Sequence, residues 1–396
     1  MRIAMIAARL SVHASGVRNV VEGLSAHLAA RGHDVHVFGL GDRAWQAGDA
    51  VQWRGAPATA FPVRGPAECG FAPDMFGALM RFDPDIVHLH SVWQHTALVA
   101  ERWAARTGRP LVVSPHNAFA PEGLARSRVK KRLARIAYLD RCLRRAAWLH
   151  ATNRTEAAQF RAFGLTGPIA VYPNGVDDIA PHVSAPRKKR IVTLGRIHPI
   201  KGLDRLLRAW ARIAPDHPDW SLAIAGQDEA GHARRLRAMI DALALKRVTL
   251  SGPLYGPDKA RFLAQAGLFV LPTRRDNFAL TVAEALVCRT PVVASHGAPW
   301  GGLETHGCGW WVEGTDAALA DAMARAMVLT DERRAQMGEA GRAWVRAAFT
   351  WPAVAARAET AYRTVVQPHA RPHRSAPGTA SRARTEAAIG ARADLG

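Results

Sequence analysis

The chain alternates between strand-like and helix-like segments in two successive series, and this alternation limits the fold more than any other feature. Strands that alternate with helices form parallel sheets covered by helices. The first series has apolar strands predicted at 3–7, 35–38, 86–90, 111–114, 149–152 and 169–172. The second has strands predicted at 190–194, 221–225, 248–250, 268–271 and 291–294. Because 396 residues are enough for two hydrophobic cores, we predict two α/β domains.

The predicted organisation divides at a linker that is rich in proline and basic residues. We place an N-terminal Rossmann-like domain at 1–177, the linker at 178–189 and a C-terminal domain at 190–350. A last helix at 351–366 is predicted to cross back to the first domain. Residues 367–396 are rich in Ala, Arg, Pro and Gly without periodicity, so we expect a disordered basic tail there.

Composition limits the class of protein. The formal net charge of +20 indicates either attraction to nucleic acid or an anionic membrane, or merely an Arg-rich composition. The cysteines lack the spacing of a metal site or a disulfide framework; they are Cys69, Cys142, Cys288 and Cys308. No run of eighteen apolar residues is present and the N-terminus reads as a first strand, so we expect a cytoplasmic protein.

Two carboxylates lie eight positions apart in the second half of the chain. Asp276 is predicted on a loop, and Glu284 is predicted one turn inside the helix that follows at 280–288. Facing one cleft, the two acids suit the hydroxyls of a sugar nucleotide, although acids near a helix start are favoured without any ligand. The helix would also offer free N-terminal amides to a ligand, those of Phe278, Ala279 and Leu280.

This segment resembles the E-x7-E element of the retaining glycosyltransferases of family 4. The matching residues are Asn277, Phe278, Leu280, Glu284, Ala285, Leu286, Pro291, Val292 and Val293. The chain departs from the pattern where the family has Glu, Gly and Gly, at Asp276, Ala279 and Arg289. Asp276 has a shorter reach than Glu, and Ala279 adds a Cβ where the backbone approaches the donor. The resemblance implies the GT-B architecture, two Rossmann-like domains facing a cleft, over residues 1–366.

The segment 195–203 is similar to the family's G-R-x4-K-G-L element, which implies that Arg196 and Lys201 hold the donor diphosphate. Arg offers a bidentate fork and Lys a compact charge for the leaving group, although both could equally be solvated surface residues. By the same resemblance, Glu284 would bind ribose hydroxyls and Asp276 the donor sugar. The remaining implied donor contacts are Gly16, Gly195, Gly226, Leu254, Asn277, Phe278, Ala279 and Leu280.

A histidine follows a strand of the first half, at the position of the family's active-site histidine. The resemblance implies that this residue, His116, contacts the donor sugar near the reacting carbon, whereas a purely structural histidine is the alternative. Near the neighbouring strand end, we predict that His88 belongs to the core. The residues predicted to shape the acceptor pocket are His90, Trp93 and Gln94.

The resemblance implies a hexosyltransferase that uses a UDP- or GDP-sugar and a glycan or polyprenyl-linked acceptor in surface polysaccharide or exopolysaccharide synthesis. Since no D-x-D element stands where a metal-dependent transferase would need one, we expect no metal and no cofactor. Two other classes stay open. Asp276 and Ala279 suggest a catalytically silent nucleotide-sugar binder, and charge alone suggests a nucleic-acid-binding protein, for which no recognition element is present.

A basic stretch at 124–146 carries apolar residues near the helical period. Its basic residues are Arg126, Arg128, Lys130, Lys131, Arg132, Arg135, Arg141, Arg144 and Arg145. Its apolar residues are Leu124, Val129, Leu133, Ile136, Leu139 and Leu143. Such a helix could rest on anionic lipid and bring the protein to the inner face of the plasma membrane. Alternatively, it could pack its apolar side on the sheet.

Overall fold

The computed structural model describes residues 1–11, 15–125, 127–178, 187–229 and 231–366. Most of the predicted linker, at 179–186, lies outside the described residues. The predicted basic tail at 367–396 and Arg126 also lie outside them.

In the first half of the described chain, seven parallel strands form one sheet in the order β3-β2-β1-β4-β5-β6-β7. The strands are β1 (Arg2–Ala7), β2 (Asp34–Leu40), β3 (Ala58–Phe61), β4 (Ile86–His90), β5 (Leu111–Ser114), β6 (Trp148–Ala151) and β7 (Ile169–Val171). Most are apolar without alternation because helices cover both faces of a parallel sheet. All carboxyl ends therefore lie along one edge.

Helices pack on both faces of this first sheet. They are α1 (Ser15–Ala30), α2 (Asp74–Phe82), α3 (His95–Thr107), α4 (Pro121–Ala125), α5 (Arg128–Ala134), α6 (Asp140–Arg145) and α7 (Arg154–Ala162). Alternate residues of β1 enter opposite cores, since successive side chains of a strand point to opposite faces. Ile3 and Met5 belong to the core under α1, whereas Ala4 and Ile6 belong to the core under α3.

The second half repeats the design with a parallel sheet in the order β10-β9-β8-β11-β12-β13. Its strands are β8 (Lys188–Leu194), β9 (Ser221–Ala225), β10 (Val248–Ser251), β11 (Ala266–Leu271), β12 (Val292–Ser295) and β13 (Gly309–Val312). Its helices are α8 (Leu203–Ile213), α9 (His232–Ala242), α10 (Gly256–Ala264), α11 (Leu280–Val287), α12 (Gly302–Thr305), α13 (Asp316–Met327) and α14 (Asp331–Ala348). The prediction of two parallel α/β sheets is confirmed.

The last helix, α15 (Trp351–Arg363), packs on the first half although it follows the second half in sequence. Trp351, Val354 and Tyr362 are buried in the same core as β1. The Trp351 ring lies so close to Gly23 and Gly175 that a Cβ on either would approach it to 2.1 and 2.2 Å. This helix therefore completes the N-terminal core.

The basic stretch at 124–146 departs from the single predicted helix. It consists of α4, α5, a π-helical turn at Arg135–Leu139 and α6. Ser127 has φ 52°, a left-handed conformation that a helix interior does not contain, so α4 and α5 are separate. The apolar positions of this stretch can therefore face different environments.

The apolar side of the basic stretch is divided between solvent and core. Val129, Leu133 and Ile136 expose 74%, 62% and 69% of their surface, whereas Leu139 and Leu143 are buried. The interpretation in which the apolar side packs on the sheet is correct only for the two ends of the stretch, since Leu124 also packs against the core under α3. In the described part of the chain, no helix is long and apolar enough to span a bilayer.

Candidate active site

The predicted site residues lie mainly in loops that follow the carboxyl ends of strands. In the first half, His90 ends β4 and His116 follows β5. In the second half, Arg196 follows β8, Gly226 follows β9 and Asp276 follows β11. Because each sheet is parallel, the loops of one half share one edge of its sheet, where open α/β sheets bind their ligands.

The two edges face each other and touch. The Asn277 side-chain amide donates a 2.6 Å hydrogen bond to the carboxylate of Glu156 on α7. In return, the side-chain amide of Asn153, which caps α7, donates to the Asn277 carbonyl oxygen. Asn277 was predicted to contact the donor, but its side chain binds the other half. Glu156 was not predicted, although its place just after β6 puts it at the same edge as His116.

Lys201 and Asp276 form an ion pair at the edge where the strands of the second half end, which we call the donor edge. Lys201 ends a 3-10 turn, Pro199–Lys201, and its ammonium group donates to the Asp276 carboxylate. The two side chains expose only 17% and 18% of their surface. Partial burial strengthens their attraction relative to a solvated surface pair. The structure therefore brings together a predicted phosphate-binding cation and a predicted sugar-binding acid.

The helix amides expected to be free are already engaged. The Asp276 carboxylate accepts hydrogen bonds from the amides of Phe278 at 3.3 Å and Ala279 at 2.8 Å. The expectation of free donors at these two positions is wrong, because the Asp276 side chain already accepts from both amides in the turn before α11. Leu280 begins α11 and is half-buried.

Phe278 serves the core and Ala279 shapes the turn. The Phe278 ring is buried 5.4 Å from the ring of Trp300, whose indole nitrogen donates to the Phe278 carbonyl oxygen at 2.5 Å. The Phe278 side chain therefore belongs to the core, and a donor contact at this position stays a prediction. Ala279 has φ 57°, which costs a non-glycine residue about 1 kcal/mol. The turn keeps the left-handed geometry despite the extra Cβ.

Glu284 is paired with a lysine that sequence reasoning missed. Lys259 of α10 places its ammonium nitrogen 2.7 Å from a Glu284 carboxylate oxygen, and both side chains are half-buried. The two residues are separated by 25 positions and lie on different helices, so no local spacing indicates the contact. One oxygen of the predicted ribose-binding carboxylate is thus already occupied by a cation.

Arg196 also has a carboxylate partner. One of its guanidinium nitrogens lies 3.0 and 2.8 Å from the two carboxylate oxygens of Glu229, in the loop after β9. This pair is exposed enough for solvent to screen it. Arg196, Lys201 and Gly195 line one small pocket at the ends of β8, β9 and β11. Both predicted phosphate-binding cations therefore border the same space.

A close backbone contact supports this pocket. A Cβ on Gly226 would lie 1.7 Å from the carbonyl oxygen of Gly195, so only glycine fits there.

Leu254 is half-buried and packs against the second core. Gly16 lies in the first turn of α1, where a Cβ would meet nothing within 4 Å. Space alone does not require glycine at position 16.

His116 and His90 form a stacked, hydrogen-bonded pair. Their rings are 5.2 Å apart and nearly parallel, with 2.9 Å between His90 Nδ1 and His116 Nε2. His90 is fully buried, so the expectation that it lines the acceptor pocket is wrong; it supports His116 from below. Burial lowers the pKa of both rings, although the Glu156 carboxylate opposes this effect at His116. Both imidazoles are therefore neutral at pH 7.

His88 belongs to a buried hydrogen-bond chain, in agreement with its predicted core role. Its ring nitrogens lie 2.6 Å from the Tyr362 hydroxyl and 2.6 Å from the Ser114 hydroxyl. Ser114 continues to His150 at 2.8 Å, and His150 to the Tyr172 carbonyl oxygen at 2.8 Å. This chain links β4, β5 and β6 to α15 beneath the His116 loop.

The side chains of Gln94 and Trp93 have different surroundings. Gln94 lines a cavity of about 200 Å³, and among the described residues its side-chain oxygen has no hydrogen-bond partner. The other lining residues are Ala8, Arg9, Val17 and Ser91. The Trp93 ring instead packs edge-on against Phe119, with 6.1 Å between ring centres, and lies under the Lys131 ammonium group. Gln94 is thus available to a ligand, whereas Trp93 mainly supports the wall.

Comparison with known proteins identifies the family. Residues 15–175 match the model of a glycosyl transferase 4-like domain, and residues 177–344 match that of glycosyl transferases group 1. A D-inositol 3-phosphate glycosyltransferase from Segniliparus rotundus is 26% identical, covering 89% of this chain and 85% of its own length. One from Mycobacterium sp. strain KMS is 30% identical over 78% of each chain. The chain belongs to glycosyltransferase family 4.

As a family 4 glycosyltransferase, the chain has the expected architecture. The crystal structure of Anabaena HepE in complex with UDP-glucose superimposes with a TM-score of 0.73 at 19% identity. The superposition covers 92% of this chain and all of HepE. The predicted GT-B fold is confirmed, and so is the prediction of a glycosyltransferase enzyme.

Proposed function

We propose that this family 4 glycosyltransferase moves a hexose, with retention of configuration, from a nucleoside-diphosphate sugar to the hydroxyl of a glycan or polyprenyl-linked acceptor. The reaction would serve surface polysaccharide or exopolysaccharide synthesis at the cytoplasmic face of the membrane. One observation carries the proposal. The Lys201–Asp276 pair and Arg196 lie at the edge that touches the start of α7, next to the His116 turn.

The donor half would bind the nucleotide sugar by exchanging its ion pairs. A diphosphate replaces a carboxylate as the partner of Lys201 and Arg196, and neither cation is left without an anion. Glu284 would accept hydrogen bonds from the ribose hydroxyls, while Asp276 would hold the sugar. UDP-glucose, which HepE binds at the corresponding fold, makes a UDP-sugar the first donor to test, and a GDP-sugar the second.

The chemical step can be balanced without a protein nucleophile. The bond from the anomeric carbon to the phosphate oxygen breaks, and the bond to the acceptor oxygen forms on the same face. The acceptor proton passes to the leaving phosphate oxygen, whose negative charge Lys201 and Arg196 stabilise. His116, neutral at pH 7, would hydrogen-bond the sugar near the reacting carbon.

The acceptor would enter over the cavity that Gln94 lines. The Gln94 side-chain oxygen, which has no hydrogen-bond partner among the described residues, and the Ser91 hydroxyl suit a polyol, and Trp93 would support the wall. A phosphorylated polyol is a second candidate, favoured by the exposed Arg9 at this cavity and by the relatives named D-inositol 3-phosphate glycosyltransferase. The two candidate acceptors differ in charge, so assays with a neutral and with a phosphorylated acceptor distinguish them.

A donor and acceptor panel tests this function. Purified protein is screened by thermal shift against UDP-, GDP- and ADP-sugars, and the stabilising donors are then assayed for nucleotide release with and without acceptors. We expect one donor to stabilise the protein and nucleotide release to rise with a neutral glycan or polyprenyl acceptor. Release only with inositol 3-phosphate would favour the phosphorylated acceptor. Binding without release would instead identify a silent nucleotide-sugar binder.

We further propose that the enzyme rests on anionic membrane through the basic stretch. Val129, Leu133 and Ile136 form one exposed apolar row at helical spacing. Arg128, Lys130, Lys131, Arg132 and Arg135 surround that row. Apolar side chains that enter the interface between flanking basic residues are typical of helices that lie on anionic lipid. A polyprenyl-linked acceptor would then be reached at the bilayer surface.

Liposome sedimentation tests the membrane contact. We expect binding to vesicles that contain phosphatidylglycerol, weak binding to pure phosphatidylcholine, and loss of binding in a triple variant with Asn at 129, 133 and 136. The matched control carries Asn at Val51 and Val328, which are equally exposed apolar residues elsewhere. Equal sedimentation of the triple variant and the control would contradict the membrane contact.

A further inference from the structure

Glu156 is a buried carboxylate whose hydrogen bonds are all made to neutral groups. Only 1% of its surface is exposed. One oxygen accepts from the Thr152 amide at 2.8 Å and the Thr152 hydroxyl at 2.7 Å. The other accepts from the Asn117 amide at 2.8 Å and the Asn277 side-chain amide at 2.6 Å. A buried anion is tolerated only with such complete hydrogen bonding, so its donors are fixed in place.

One of these donors fixes the His116 turn. His116 and Asn117 have φ values of 51° and 66°, two successive left-handed residues that are not glycine. Each costs about 1 kcal/mol, so the turn persists only where surrounding contacts impose it. The bond from the Asn117 amide to Glu156 is such a contact. Without it, the His116 ring would lose the backbone geometry that directs it.

Another donor belongs to the opposite half. Asn277 follows Asp276, which is paired with Lys201, and precedes the turn that starts α11. Its side chain binds Glu156, and its carbonyl oxygen accepts from Asn153. A single carboxylate therefore holds both the turn that carries His116 and the loop that carries Asp276.

We propose that Glu156 is a positioning residue for sugar transfer, which holds the His116 turn and the Asp276 loop at the separation the reacting sugar requires. This inference rests on the proposed function, in which both residues contact the donor sugar. Displacing a catalytic group by about 1 Å can cost about 100-fold in rate. Binding of the nucleotide, which also depends on Arg196 and Glu284 outside the Asp276 loop, should be less affected.

Steady-state kinetics of Glu156→Gln test this role. The amide keeps the shape of the side chain but replaces one of its two acceptor oxygens with an NH2 donor, which then faces N–H or O–H donors. We expect kcat to fall by about 10- to 100-fold, while the KM for the donor changes by less than about threefold. The matched control is Glu101→Gln, a buried acid of α3 paired with Arg145 at 3.4 Å. It should lower the melting temperature without lowering the kcat of the folded enzyme.

A double-mutant cycle separates positioning from folding. Asn277→Ala removes the contact from the opposite half, and we expect it to lower kcat similarly. The double variant with Glu156→Gln should lose little more, because the two changes break one shared contact. Wild-type kcat in Glu156→Gln, or fully additive losses in the cycle, would overturn the inference. Failure of the wild-type enzyme to release nucleotide from any donor would instead refute the proposed function.

Discussion

At the scale of single residues, the cations of the donor edge already hold carboxylates. The pairs are Lys201 with Asp276, Lys259 with Glu284 and Arg196 with Glu229. Breaking a half-buried pair by removing one partner leaves an uncompensated charge, which costs more than the pair itself contributes. Exchange of a carboxylate for a diphosphate avoids that cost. In the proposed function, the ligand would therefore exchange with carboxylates at existing cations.

Lys201 provides the sharpest test at this scale. We expect Lys201→Ala to lower transfer by at least about 100-fold, the usual loss when one group that stabilises a leaving charge is removed. The circular dichroism spectrum should remain unchanged, because the Lys201 side chain lies outside the hydrophobic cores. Lys189→Ala is the control, because its pair with Asp219 is exposed in the same half. Full turnover by Lys201→Ala would remove its assigned role.

Lys259 should act on binding and not on chemistry. It orients the carboxylate of Glu284, which we assign to the ribose, far from the reacting carbon. We therefore expect Lys259→Met to raise the KM for the donor about three- to tenfold with little change in kcat, the pattern of lost uniform binding. Initial rates over a donor series measure both constants. A selective fall in kcat would show that the assignment is misplaced.

Sequence motifs predicted single site residues better than their partners. The order of the G-R-x4-K-G-L and E-x7-E elements indicated Arg196, Lys201 and Asp276, which line one edge. Glu229, Lys259 and Glu156 escaped prediction because their contacts join residues 33, 25 and 121 positions apart. Only tertiary structure brings such residues together. His90 was misjudged since a strand-end position does not reveal burial.

At the scale of elements, the histidine chain ties three strands to α15 and makes stability depend on pH. Burial holds the pKa of His150 at about 4 and that of His88 well below 6.5. The unfolded chain binds protons below about pH 6.5, whereas the folded chain binds them only near pH 4. The free energy of unfolding is therefore highest above pH 6.5 and falls as pH decreases towards 4.

We expect His150 alone to contribute about 3 kcal/mol to this loss, from about 1.4 kcal/mol for each unit of pKa shift. Chemical denaturation at pH 8, 6.5, 5.5 and 4.5 measures this loss in the free energy of unfolding. His150→Asn should flatten the profile, while the exposed His296→Asn should leave it unchanged. A free energy of unfolding that does not fall between pH 6.5 and 4.5 would contradict the buried neutral chain.

The turns after β8 and β9 depend on a glycine contact. Gly226→Ala should destabilise the protein by about 1–3 kcal/mol, as overpacking does, and weaken donor binding, because its Cβ would collide with the Gly195 carbonyl oxygen. Thermal unfolding with and without donor measures both effects. Gly252→Ala, after β10, has open space around its Cβ and should keep wild-type stability. Equal stability of the two variants would refute the close contact.

Most strands were predicted from their apolar runs. The inner strands β4, β5 and β9 begin and end where those runs predict. The edge strands β3 and β13 were missed, and partial burial alone does not explain this, because the edge strands β7 and β10 are also partly buried and were predicted. The predicted helix at 124–146 is interrupted because Ser127 adopts a left-handed conformation, which no composition rule indicated.

At the scale of the whole molecule, the two halves are held in two ways. α15, which follows the second half in sequence, packs into the N-terminal core, and Asn277 meets Asn153 and Glu156 where the two strand edges face each other. The packing of α15 ties the second half to the first, and the Asn277 contacts determine which loops of the two halves meet. Donor cations on one side and the His116 turn on the other then border one cleft, as the GT-B fold requires.

The central claim is that one sugar carbon is held between these two edges. A crystal structure with an unreactive 2-fluoro analogue of the donor chosen by the panel tests it most directly. We expect the diphosphate to contact Lys201 and Arg196, and the sugar to lie between Asp276 and His116. A diphosphate bound away from both cations, or a sugar that touches only one half, would contradict the account.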